Sequence, residues 1–162
     1  EHQNVYVSDM IYGRVSVYDR DGNYIRQIGE FGTKPGLFAR PKGLAVWKNL
    51  VFCLDAGFEN CQIFDLNGRP LMAFGQPGVG PGHMYMPATI WVGSEGLDQV
   101  EEHLHPDFEP QALILVTNQF GFRQLSYYVL GRSRKHDYPD IPLPTQPAKM
   151  EKKPVKDKDP LE

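Results

Sequence analysis

Short apolar runs alternate with polar residues along most of the chain, and this pattern predicts an all-β fold. The runs are rich in Val, Ile, Tyr and Phe, and Gly, Asn, Asp or Pro bounds each of them, as is typical of strands joined by tight turns. Only the segment 96–104 has the composition of a helix, and it is short. The predicted strands cover residues 3–8, 14–18, 24–28, 43–48, 50–54, 61–65, 70–74, 88–93, 112–117 and 123–130.

A repeat of 46 residues organises these strands. It relates Asp9 to Asp55, and several Gly and Pro positions recur at the same separation. A third, degraded copy at 114–131 matches residues 5–22, after an insertion placed near 95–110. Four short strands in about 45 residues are the signature of a β-propeller blade. We therefore expect about two and a half to three four-stranded antiparallel blades, as part of a propeller.

The composition of the chain changes after Gly131. Every glycine lies at or before this residue, and the segment 132–162 holds six of the 14 prolines. This segment has eight basic and six acidic residues, a net charge of +2, which leaves −5 for the rest. Such a composition favours an extended or disordered chain. We therefore divide the protein into propeller blades at 1–131 and a Pro/Lys-rich extended or disordered tail at 132–162.

The segment GRVSVYDRDGNYIRQIGEFGTKPGLFARPKGLAV, at 13–46, resembles the NHL repeat. The shared features are an Arg-Val-x-Val-aromatic-Asp strand, a Gly turn, and a Gly-rich connection that ends in Phe-x-x-Pro. The chain departs from this pattern where Asn60 replaces the arginine of the first repeat and Asn118 replaces the aspartate. The resemblance covers about 1–131, and it implies the C-terminal blades of a propeller that usually has six.

The segment VTNQFGFRQLSYYVLG more narrowly resembles the closing blade of exported bacterial propellers that accompany multihaem c-type cytochromes. This resemblance implies an exported protein, periplasmic or extracellular. We predict a non-enzymatic scaffold that mediates protein–protein interaction, since rigid blades with loop aromatics and a Pro/Lys-rich tail supply contacts. The resemblance implies that it is an accessory subunit of a multihaem cytochrome or electron-transfer assembly. The alternative is part of a metal-dependent propeller hydrolase or lyase whose site lies mostly outside this chain.

Ten strands make fewer blades than the four that the smallest propellers need. Three interpretations stay open: the C-terminal half of a larger propeller, a half-propeller that pairs with itself or with another chain, and an open sheet. In the first two, a protein partner or the remaining blades must cover the end blades, because soluble proteins avoid large apolar patches.

Charge and hydropathy argue against nucleic-acid binding and against a membrane-spanning helix. The formal net charge is −3, from 17 basic and 20 acidic residues, whereas nucleic-acid binders usually carry a strong basic excess. No apolar run approaches the roughly 18 residues that a membrane-spanning helix needs. We therefore expect neither nucleic-acid binding nor a membrane span.

The loops after the second strand of each blade hold aromatic residues, and in the first and third repeats an arginine stands beside them, a combination that is favoured at protein interfaces. The alternative is that these aromatic residues pack on neighbouring loops of the same chain. Asp9 and Asp55, with Asn118, recur at the start of these loops, and this recurrence favours turn bracing over a ligand-binding ring. The candidate partner-binding residues are Tyr12, Arg14, Phe58, Phe120, Phe122 and Arg123.

Cysteine and histidine residues offer weaker candidates. Cys53 and Cys61 lie on adjacent predicted strands, where they form either a disulfide or two buried thiols. His103, His105 and Asp107 are weak candidates for metal ligands in the insertion, where polar surface residues are ordinary, and we predict no metal site. No Cys-x-x-Cys-His motif and no nucleophile motif is present, so we expect no cofactor and no catalytic residues.

Overall fold

The computed structural model describes residues 4–138 and is all-β in that part of the chain. Two 3₁₀ turns, Leu97–Gln99 and Glu101–His103, are the only helical segments between residues 4 and 138. Within these residues, no helix has the length and apolarity that a membrane crossing requires. The ten strands are β1 (Val5–Asp9), β2 (Arg14–Tyr18), β3 (Tyr24–Ile28), β4 (Pro41–Trp47), β5 (Leu50–Asp55), β6 (Asn60–Asp65), β7 (Pro70–Phe74), β8 (Pro87–Gly93), β9 (Phe108–Asn118) and β10 (Leu125–Ser133).

The strands form three antiparallel sheets, each built from consecutive strands as in propeller blades. We name them blade 1 (β1 to β3), blade 2 (β4 to β7) and blade 3 (β8 to β10). Strand β4 contacts both β1 and β8. Each of these three is an edge strand of its sheet, so the blades meet along these edges. This arrangement agrees with the fold class that the repeat predicts.

Two apolar clusters lie between successive blades, because alternate residues of a strand face opposite sides of its sheet. Val15 and Val17 of blade 1 meet Phe64 of blade 2 in the first cluster. Phe52 of blade 2 meets Ile114 of blade 3 in the second. Each blade therefore has a backward face, toward the preceding blade in sequence, and a forward face, toward the next. Both faces of blade 2 are buried.

Aspartate and glycine form the hairpin turns that the repeat predicts. In blade 1, Asp19 Oδ1 accepts a hydrogen bond from the backbone N–H of Asn23 at 2.8 Å. The equivalent Asp65 braces the turn of blade 2 in the same way. Gly22 and Gly68 both have φ of 84°, a conformation that glycine adopts without strain.

The insertion and the boundary of the tail differ from the expectation. The segment 96–104 forms two 3₁₀ turns because it is too short for a stable helix and no side chain caps it. Strand β9 begins at Phe108 inside the expected insertion, and it pairs with β10 as far as Ser133. The ordered sheet therefore extends two residues past Gly131, while 139–162 of the expected tail lie outside the described residues.

The two cysteines do not face each other. The register of β5 and β6 places Cys53 opposite Gln62 and Cys61 opposite Leu54. The thiols therefore point to opposite faces of blade 2, and each lies in a different apolar cluster. Both are free and buried, so the candidate disulfide does not form. Burial raises the pKa of both thiols.

Candidate functional site

The loops that hold the candidate residues lie on one edge of the blades. They span 10–13, 56–59 and 119–124, and they join β1 to β2, β5 to β6 and β9 to β10. The connections from one blade to the next, 29–40 and 75–86, reach the same edge, where their backbone N–H groups donate to the side chains of Asp55 and Asn118 just before the loops. We call these five segments together the loop edge.

Asp55 fixes the loop edge at blade 2. Its carboxylate is fully buried and accepts four backbone hydrogen bonds. Two come from the blade connection, Ala39 N at 2.7 Å and Arg40 N at 3.0 Å. The other two come from its own loop, Gly57 N at 2.8 Å and Phe58 N at 3.0 Å. The buried carboxylate therefore braces the blade connection against the loop, and the four bonds compensate for its burial.

Gln62 anchors the same connection from the adjacent strand. Its side-chain oxygen accepts from Gly36 N at 2.8 Å, and its side-chain nitrogen donates to Leu37 O at 2.8 Å. The connection is therefore fixed at two places before it enters β4, and the loop edge has little freedom to move there.

Asn118 performs the equivalent function in blade 3. Its Oδ1 accepts from Tyr85 N, and its Nδ2 donates to the carbonyl of Arg123 and to Ser126 Oγ, each at 3.0 Å. The amide thus ties the blade connection to both ends of the loop. The donor nitrogen explains how asparagine can replace aspartate at this position, because it bonds the Arg123 carbonyl, an acceptor that a carboxylate could not bond.

Tyr12 and Arg14 form one exposed pair at blade 1. The guanidinium of Arg14 lies 4.9 Å from the centre of the Tyr12 ring, a cation–π distance. Its Nε lies 3.4 Å from Asp9 Oδ2, and its Nη1 donates to Gln27 Oε1 at 3.2 Å. The arginine is therefore held in place while the tyrosine stays exposed.

Phe120, Phe122 and Arg123 come together at blade 3. Phe122 is fully exposed and Phe120 is about half exposed. All three line a shallow groove with Val79 and Tyr85 of the preceding connection. The rings of Phe120 and Tyr85 are 6.1 Å apart. This is the largest collection of exposed aromatic groups among the candidate residues.

Phe58 lies apart from these two groups. It is only partly exposed and lines a separate groove of about 350 Å³ between the two blade connections. Lys34 and Pro35 form one wall of this groove, while Gln76 and Pro77 form the other. The loop edge thus holds a pair at blade 1, a groove at blade 2 and an aromatic group at blade 3.

Sequence reasoning missed apolar residues of the blade connections at this edge. Phe31, Val79 and Tyr85 are all exposed, and the latter two line the same groove as Phe122. A signal was available, because these residues flank the Gly-rich segments that join the blades. Their place beside the loops depends on contacts between segments distant in sequence, such as the bond from Tyr85 N to Asn118.

The weak metal candidates do not form a cluster. Nδ1 of His105 lies 3.5 Å from Asp107 Oδ2, and Nζ of Lys135 lies 2.5 Å from the same oxygen. His103 instead lies beside Glu102. Among residues 4–138, no group of three or more His, Cys, Asp or Glu side chains converges as metal ligands would.

The fold and the loop edge define an all-β protein of propeller-like blades that presents aromatic and arginine side chains on loops. No protein-family model matches the sequence. The chain is similar to the protein Brain tumor of Drosophila melanogaster, an NHL-repeat protein, with 30% identity over 99 residues. The match covers 60% of this chain and 9% of that protein. This partial similarity is compatible with NHL-type blades.

Proposed function

We propose that this protein is a non-enzymatic β-propeller scaffold that binds a protein partner through its loop edge. The observation that carries the proposal is the exposed aromatic group at blade 3, where Phe122 is fully exposed beside Phe120 and Arg123. Aromatic and arginine side chains supply most of the binding energy in many protein interfaces. The Tyr12–Arg14 pair adds a second contact of the same chemistry.

The bracing of the loop edge supports this function. Asp55 and Gln62 hold one blade connection by four hydrogen bonds, and Asp55 makes two more to its own loop. Asn118 ties the next connection to the loop of blade 3. A surface that is ordered before binding loses little conformational entropy when a partner docks. Little of the free energy that the apolar contacts of the loop edge contribute to binding is therefore lost in ordering this surface.

The partner class follows from charge and from the resemblance. The formal net charge of −3 favours a protein over a nucleic acid. The resemblance to exported bacterial propellers suggests a multihaem cytochrome as the partner, in the periplasm or outside the cell. The general scaffold function does not depend on this more specific assignment.

A crosslinking experiment tests the proposal. A photoreactive phenylalanine analogue is placed at position 122 of the otherwise unchanged chain and irradiated in cells of the source organism. The matched control carries the analogue at position 71, because Leu71 is exposed on β7 of blade 2. We expect one protein to be crosslinked from position 122 and not from position 71.

Substitutions then test whether the contact contributes to binding. The variants Phe120→Ser with Phe122→Ser, and Tyr12→Ser with Phe58→Ser, should each reduce recovery of that protein in affinity purification. Circular dichroism must show that the fold is retained. Undiminished recovery with both folded variants would contradict the proposal.

A further inference from the structure

The groove beside Phe58 at blade 2 lies where the repeat loses two large polar side chains. Asn60 stands in place of Arg14 of blade 1, and Ala73 stands in place of Gln27, each 46 residues later. Both of the smaller residues line the groove. The groove therefore occupies space that longer side chains fill in blade 1.

In blade 1 this space holds the guanidinium of Arg14. Its carbon lies 4.9 Å from the centre of the Tyr12 ring, and its Nη1 donates to Gln27 Oε1 at 3.2 Å. Its Nε lies 3.4 Å from Asp9 Oδ2. Blade 1 thus shows which group fits this place in the repeat, namely a planar cation between an aromatic ring and side-chain oxygens.

Blade 2 keeps the surroundings of that guanidinium without the guanidinium itself. Phe58 is the equivalent of Tyr12 and lines the groove. Asp55, the equivalent of Asp9, is the partner of Asn60 across the hairpin, and its carboxylate is buried. Asn60 Oδ1 is shielded from solvent and has no hydrogen-bond partner among the described residues, which costs free energy unless a donor reaches it. Rotation of this amide toward the groove would present the oxygen to a donor there.

We propose that the blade 2 groove binds an arginine side chain of the protein partner, whose guanidinium takes the place that Arg14 fills in blade 1. This inference rests on the proposed function, because the partner supplies the side chain. Phe58 provides the aromatic surface for a cation–π contact, and Asn60 provides the hydrogen-bond acceptor. Arginine is enriched among the residues that dominate protein interfaces, and its planar fork suits such a site better than an ammonium group does.

The size and charge of the groove allow this occupant. Its volume of about 350 Å³ is at the lower end of the roughly 300–1,000 Å³ of ligand pockets. Lys34 of the lining opposes a cation, but its side chain is exposed, so its ammonium group can stay in solvent. The net charge of −5 on residues 1–131 attracts a cationic side chain. Residues 139–162 contain no arginine, so they cannot supply this group.

NMR titration of the full chain with short peptides tests the proposal. The probes are a blocked Gly-Arg-Gly tripeptide and matched tripeptides with lysine or glutamate at the centre. We expect the arginine peptide to shift the side-chain amide signals of Asn60 and the ring signals of Phe58 until they saturate. The other two peptides should bind at least about tenfold more weakly. Lys34→Glu should strengthen binding of the arginine peptide, because it reverses a charge that opposes the guanidinium.

Two paired substitutions exchange the groove between the blades. Asn60→Arg with Ala73→Gln rebuilds the arrangement of blade 1, so the fold should be retained while the groove is filled. This variant should bind the arginine peptide, and the crosslinked partner, at least about tenfold more weakly. Arg14→Asn with Gln27→Ala should open an equivalent groove at blade 1, and the arginine peptide should then also shift the ring signals of Tyr12.

Four results would overturn the proposal. With the arginine peptide, the absence of saturable shifts would show that the groove does not bind this side chain. Equal binding of the lysine peptide would show that no guanidinium is selected, and stronger binding of the glutamate peptide would indicate a site for a carboxylate. Unchanged affinity of the filled variant for the partner would show that the partner does not use the groove. Crosslinking from position 122 does not depend on this groove, so it tests the scaffold proposal separately.

Discussion

Removal of the Asp55 carboxylate should destabilise the fold more than removal of its counterpart one repeat earlier. The perturbation is Asp55→Ala. In the native protein this fully buried carboxylate accepts bonds from Ala39, Arg40, Gly57 and Phe58 at 2.7 to 3.0 Å. Alanine leaves four backbone donors without their acceptor, two in the loop and two in the blade connection.

The expected magnitude follows from these four bonds. A hydrogen bond to a charged group contributes about 1.5–3 kcal/mol, but bonds to one group are not additive, and water can replace part of them. The cost of burying the carboxylate charge in the native protein offsets a further part of the stability that the four bonds contribute. We therefore expect the free energy of unfolding to fall by about 3–5 kcal/mol, a large part of the stability of an ordinary domain.

Asp9→Ala is the matched control. Asp9 occupies the same place in blade 1, but its side chain is 26% exposed and makes only two bonds, to Tyr12 N at 3.1 Å and to Arg14 Nε at 3.4 Å. Its loss should lower the free energy of unfolding by about 1 kcal/mol or less. Urea denaturation followed by circular dichroism gives both values. Equal losses for the two variants would refute this reasoning.

Three further outcomes follow from buried or bonded groups. Because burial raises the pKa of the Cys53 and Cys61 thiols, a thiol reagent should label neither in the native protein at neutral pH and both in urea. Hydrogen bonds from Asn23 lower the pKa of Asp19. The ionised Asp19 carboxylate therefore stabilises the fold fully above the ordinary pKa of aspartate, and this stabilisation is lost as the pH falls through the lowered pKa. Asn23→Ala should raise the pKa of Asp19 in an NMR titration. Gln62→Leu leaves two backbone groups of the first blade connection unpaired and should cost about 2–3 kcal/mol in urea denaturation.

The sequence predicted the strands well because local signals determine them. Val15 and Val17 alternate with polar or differently facing residues, and Asp19 with Gly22 specifies the turn that follows. The 46-residue repeat then transferred each assignment to the next blade. Such signals act over a few residues, so no knowledge of the tertiary structure was needed.

The facing of the cysteines could not be predicted in the same way. A disulfide would need Cys53 directly opposite Cys61, but the structure pairs Asp55 with Asn60 and so places Cys53 opposite Gln62. This register differs by one residue, and a shift of one residue moves every side chain to the other face of the sheet. The observed register therefore places Cys53 and Cys61 on opposite faces of blade 2, although both strands lie where the sequence predicted them.

The candidate site was predicted only in part for a related reason. The loops could be located from the repeat, and Phe120 and Phe122 are exposed there as an interaction surface requires. The contribution of Val79 and Tyr85 depends on how a blade connection returns to the loop of the next blade. That path is set by long-range bonds such as the one between Tyr85 and Asn118.

The affinity of the loop edge for its crosslinked partner is the most direct test of the scaffold account. Binding of the purified partner would be measured for the unchanged chain, for Phe120→Ser with Phe122→Ser, and for the control Leu71→Ser with Met72→Ser. We predict at least about a tenfold loss of affinity for the loop variant, as for interface residues worth 1.4 kcal/mol or more, and no change for the control. Equal affinity for all three proteins would contradict the account.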